Sequence, residues 1–116
     1  MKESEGIQLD RPYKLENASI EKHLTKTGPG VFTLGTMSER AEYLVAYTGI
    51  AKKDLKKELK NLVGKSRRPL FTFEYTSSLK EAFEKQCCIY HHFDPPDNKQ
   101  HPKSPEGTDW TCPTCQ

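Results

Sequence analysis

Long apolar runs are missing from this chain of 116 residues. No stretch approaches the ~20 consecutive apolar residues needed to cross a bilayer, so a spanning helix is not expected. The opening segment, MKESEGIQLDRPYK, lacks the apolar core of a secretory signal, and a cytoplasmic location is the expectation. Hydrophobic residues make up only 34% and mean hydropathy is -0.83, which points to one small domain with a thin core that a cross-link would help. Internal repeats and low-complexity runs are also absent, which sets aside solenoid architectures. Cysteine is scarce but present, with four residues. In a reducing compartment that usage favours metal over disulfides.

What is present is an uneven charge. The chain carries a net +2, yet Lys52 to Arg68 holds eight basic residues (Lys52, Lys53, Lys56, Lys57, Lys60, Lys65, Arg67, Arg68) against Asp54 and Glu58. This island suits a phosphate backbone, and the plainer reading is a solvated helix face.

The pattern of residues divides the chain into three parts. Residues 1–12 read as a disordered lead-in, 13–98 as the folded domain, and 99–116 as a proline-rich tail. Within the domain a short helix is expected around Ile20 to Leu24, followed by the Gly28-Pro29-Gly30 turn. Two strands, Val31 to Leu34 and Tyr43 to Thr48, form a hairpin with a long loop. Strict alternation in the second puts Tyr43, Val45 and Tyr47 on one face. Leu55, Leu59 and Leu62 form the buried stripe of a helix near Lys53 to Val63, which Gly64 terminates. LFTFEYT then reads as a third strand, with Phe71, Phe73 and Tyr75 on one side. The expected class is α+β, a small three-stranded antiparallel sheet flanked by helices.

The most informative stretch is Thr76 to Phe93. Ser78 followed by Glu81 is a capping box that starts a helix. At ~100° per residue, Leu79, Ala82, Phe83, Ile89, Tyr90 and Phe93 share a face, with Gln86 near its middle. Cys87 and His91 lie one turn apart on its flank, while Cys88 points the other way. The tail ends in Trp110 and the knuckle Cys112-Pro113-Thr114-Cys115. A Cys-x-x-Cys turn aims two thiolates at one point, and zinc then needs two further tetrahedral ligands. Cys87, His91, Cys112 and Cys115 are the expected set, with His92 and His101 as competing donors. Such a closed shell is structural and would pin the tail to the helix.

In this order, Gly30-Val31-Phe32, Tyr47-Thr48-Gly49, the helix Leu55-Lys56-Lys57-Glu58-Leu59, and Ala82 to Gln86 followed by Pro95 to Asn98 form a recognisable series. The chain resembles the GIY-YIG nuclease domain over roughly Gly28 to Asn98. That resemblance implies phosphodiester cleavage, with a first-strand tyrosine, a helical arginine and a cation-binding glutamate. The matching positions depart from these types. Phe32 has no hydroxyl, Glu58 (or Lys57, one residue away) replaces arginine, and Gln86 replaces glutamate and is a poor ligand for a hard cation. Tyr47, Gly49 and Asn98 remain.

Three functions are compatible with these features. The first is a catalytically degenerate GIY-YIG-like domain that binds nucleic acid, DNA ahead of RNA, and carries structural Zn2+. Phe32 and Tyr47 would stack on bases and the basic stretch would hold phosphates. The second is an active nuclease using Mg2+ or Mn2+, with Tyr47, Lys57 and Glu74 or Glu84 rearranged into a site. The third is a zinc-stabilised module that binds another protein.

Overall fold

The protein, seen in a computed structural model, is described at residue 9 and residues 11–113. Most of the expected lead-in, and Cys115, lie outside the described residues. In chain order the elements are β1 (Tyr13–Lys14), α1 (Asn17–His23), β2 (Gly30–Met37), β3 (Tyr43–Ala51), α2 (Leu55–Leu62), β4 (Leu70–Tyr75) and α3 (Leu79–Phe93). The strands form one antiparallel sheet in the order β1-β4-β2-β3. The fold is α+β as expected, but among the described residues the sheet has four strands instead of three. The extra strand escapes a periodicity reading because it is two residues long. Tyr13 and Lys14 pair with Phe71 and Leu70, and the Tyr13 ring stacks on His23 of α1 with centroids 3.7 Å apart.

Alternation along β2 and β4 gives the sheet two apolar faces. Phe32, Leu34 and Phe71 pack against Ile20 and Leu24 at α1 and against Leu55 and Leu59 of α2. On the opposite face Val31 and Val45 pack against Ile89 of α3. Leu55, Leu59 and Phe71 are completely buried, and removing a leucine side chain from such a site costs about 2–5 kcal/mol.

A β-bulge changes the expected facing of β3. Leu34 pairs with Tyr47 but Gly35 pairs with Val45, so Ala46 is the extra residue. Tyr43 and Val45 stay on the α3 side, whereas Tyr47 turns to the α1/α2 side. Gly35 permits this distortion, because a Cβ there would run into the Leu44 carbonyl and the Tyr43 ring. On the α3 side the Tyr43 hydroxyl lies 2.8 Å from Thr33 Oγ1, which in turn meets Thr72 Oγ1 at 2.7 Å. Burial pushes the Tyr43 phenol up to about 12.

Both longer helices start on side-chain caps. Asp54 accepts from the Lys57 amide at 3.2 Å, and Ser78 accepts from the Glu81 amide at 3.1 Å. The reciprocal half of the capping box is displaced by one residue: Glu81 binds the amide and hydroxyl of Ser77, at 2.7 and 2.8 Å. These hydrogen bonds hold its carboxyl below its ordinary value. Among the described residues no helix is long and apolar enough to cross a membrane.

Candidate metal centre and basic groove

Two stripes of α3 are buried, and they face different things. Gln86 and Ile89 lie against the sheet. Phe83 and Cys87, one turn apart, face the tail and form a small cluster with Trp110 and Cys112. The Phe83 and Trp110 rings lie 6.4 Å apart. Here the donor atoms of Cys87, His101 and Cys112 all fall within 4.8 Å of one another, close enough to hold a metal ion. Donors around a single zinc, with bonds of ~2.0–2.3 Å, are separated by roughly 3.3–3.8 Å, so the group fits with little adjustment. Cys87 is fully buried and Cys112 is 7% exposed.

The histidine of this group is His101, from the tail, rather than the expected His91. Its Nδ1 lies 2.7 Å from the Pro102 carbonyl, an acceptor only, so Nδ1 carries the proton and donates. Nε2 is then the unprotonated nitrogen, the tautomer that metal-binding imidazoles use. The Tyr90 ring packs edge-on beside it, 5.1 Å away. His91 is exposed on α3 with its Nε2 3.0 Å from that of His101, so it adjoins the group. His92 is also exposed and packs on Phe93. No local spacing could have named His101, because a loop joins it to α3. The only sequence signal was its position in a tail too rich in proline to order itself.

Gln86 and Asn98 meet at one backbone carbonyl. Gln86 Nε2 donates to Thr48 O at 3.1 Å and Asn98 Nδ2 donates to the same oxygen at 3.0 Å. Asn98 Oδ1 also accepts from the Thr48 amide at 2.7 Å. Both lone pairs of the carbonyl are engaged, and Gln86 is only 8% exposed. Next to them the Asp97 amide donates to Ala46 O at 2.8 Å. Asp97 is held by a two-pronged contact from Arg68, at 2.9 and 3.0 Å. The guanidinium holds this carboxyl below the usual carboxylate range.

The other positions picked out by the resemblance lie on the opposite side of the sheet. Phe32 is 3% exposed and fills the space a side chain on Gly49 would need, since a Cβ there would come within 2.6 Å of its ring. Tyr47 lies 6.2 Å from Phe32, centroid to centroid, and is half-buried. Its pKa is raised, first by burial and then by the charge of Glu58. Phe32, Tyr47, Glu58, Lys65 and Arg67 line a concavity of about 300 Å3. A second concavity takes in Lys52, Lys53, Lys57, Asn61 and again Glu58, so the two adjoin. The six positions therefore divide into Phe32, Tyr47, Lys57 and Glu58 around these concavities, and Gln86 with Asn98 at the Thr48 carbonyl. Glu74 lies on the α3 side and pairs with Lys85 at 3.1 Å.

The basic stretch is not uniformly solvated. Lys56 and Lys60 both pair with Glu21 of α1, and Arg68 pairs with Asp97. Lys52, Lys53, Lys57, Lys65 and Arg67 are exposed and make no ion pair among the described residues. No family model, curated protein or solved structure matches the chain.

Proposed function

We propose that this protein is a nucleic-acid-binding module on a GIY-YIG-like plan, without the family's catalysis and with its tail fastened by structural zinc. The observation that carries the reading is the set of five exposed cations, Lys52, Lys53, Lys57, Lys65 and Arg67, around two adjoining concavities. The other three basic residues of the stretch are engaged by two carboxylates, Lys56 and Lys60 by Glu21 and Arg68 by Asp97, which separates framework charges from available ones.

The loss of catalysis is supported by what the matching positions do. Phe32 is a packing residue, Glu58 brings negative charge to the place of a phosphate-binding arginine, and Gln86 donates to a backbone carbonyl. The order hairpin, α2, β4, α3, with β1 at one edge of the sheet, is what supports the GIY-YIG-like reading of the fold.

Zinc suits a donor set of two thiolates and an imidazole better than hard cations do. Cys87, His101 and Cys112 would hold it, and it would supply a cross-link between α3 and the tail. His91 and Cys115 are the two candidates for the fourth position. Metal analysis of the purified protein should find one zinc per chain, lost in Cys112→Ser.

Fluorescence anisotropy with labelled oligonucleotides tests the binding function. With five phosphate contacts, the log–log slope of affinity against salt should be about -3.5 to -4.5. Lys53→Glu with Lys57→Glu should weaken binding to every sequence. No binding of DNA or RNA at low salt would refute the proposal.

A further inference from the structure

We infer that the ligand is a single strand, DNA or RNA, gripped where one unpaired base enters the concavity over Tyr47. This rests on the nucleic-acid reading above and narrows it to a substrate class. Phe32, at 3% exposure, is floor, and Tyr47 is the half-buried ring that a ligand can reach. A base inside a duplex has both faces covered by its neighbours and its pairing edge occupied, so it cannot lie on a recessed ring. An unpaired base can. A volume of about 300 Å3 sits at the small end of ligand clefts, which begin near ~300 Å3, and suits one nucleotide rather than a helix.

The charges follow the same spacing. Lys65 and Arg67 line one concavity, whose Asp97 is paired with Arg68; Lys52, Lys53 and Lys57 line the other, whose Asp54 is held as the cap of α2; Glu58 is the carboxylate common to both. Glu58 repels phosphate and leaves the place beside it to a neutral base, whose N–H groups its carboxylate can accept. The cations of the two concavities then take the flanking phosphates. An alternation of phosphate, base and phosphate is the chemistry of an extended strand. The shared recognition element is an unpaired base between two phosphates, which both DNA and RNA supply.

The test compares a labelled single strand of about 12 nucleotides, as DNA and as RNA, with the same DNA as a duplex, at about 50 mM salt. The single strand is expected to bind at least about ten-fold tighter than the duplex. Tyr47→Ala should lower single-strand affinity by about 5- to 150-fold, the equivalent of ~1–3 kcal/mol per stacked base. Tyr47→Phe should keep the wild-type value. Because Tyr47 also packs against the core, a strand carrying 5-iodouracil provides a second readout on the unaltered protein. Its photoadduct should map to the peptide containing Tyr47, and an adduct confined to other peptides overturns the inference. Equal affinity for single strand and duplex also overturns it and leaves the broader proposal standing. Absence of binding to all three probes removes both. Whichever strand binds tighter identifies the source.

Discussion

Asp97 and Asn98 meet β3 through directional hydrogen bonds to backbone, whereas His101 and Cys112 meet α3 through an imidazole and a thiol gathered around Cys87. The first fastening is complete in protein atoms alone: each polar group on either side has its partner. The second gathers metal-type donors, and if a metal is bound there its thiolates depend on the cation, since thiolates side by side repel until one joins them. The same tail is thus held near its root by the chain itself and, under the proposed zinc site, farther out by metal. This contrast predicts which part comes loose first.

The largest effect should follow chelation. Removing metal, or substituting Cys112→Ser, should free the tail beyond residue 100 while the root stays in place. Trp110 is the only tryptophan, so its emission should shift to longer wavelength as it leaves Phe83. Proteolysis should become easy between Lys103 and Asp109, with hydrogen exchange at Thr48 unchanged. Tryptophan emission indifferent to a strong chelator would contradict the division.

A smaller effect is expected at the root. Asn98→Ala removes a donor and an acceptor from Thr48 together, at a cost of about 1–3 kcal/mol, and should lower the melting temperature without loss of metal. A variant that loses zinc as readily as stability would mean that the two fastenings act as one.

The smallest effect belongs to Asp97 and Arg68, which are both near the surface. Since the folded Asp97 carboxyl is held low, its contribution is present above the ordinary carboxylate range of about pH 4 and is lost as pH falls through its folded value. Arg68→Ala should therefore lower the melting temperature slightly at neutral pH and not at all in strong acid. An equal loss at both extremes would assign the effect to packing of the arginine stem.

Local signals carried much of this fold in the sequence. The Ser78 cap, the leucine stripe of α2 and the apolar alternation of β4 are written within a few residues each, and all three elements formed where those signals lay. The bulge at Ala46 was not legible, because it depends on how β3 pairs with a strand ten residues earlier. A glycine inside β2, Gly35, was its only trace. The metal group was half legible. Cys87 and Cys112 follow from spacing, but His101 reaches them through a loop whose path no periodicity describes. Likewise Gln86 was correctly read as inward-facing, while its partner, the Thr48 carbonyl, is a backbone atom and leaves no mark in the sequence.

The carboxamide of Asn98, lying along Thr48 as a neighbouring strand would, has a consequence for how this sheet meets other molecules. A free margin of β-structure recruits extended peptides, and here the middle of one margin is already occupied by the protein's own side chain. The other margin is β1, with two residues to offer. Recognition by strand addition, and the fibrous self-association that follows the same route, therefore have little to build on.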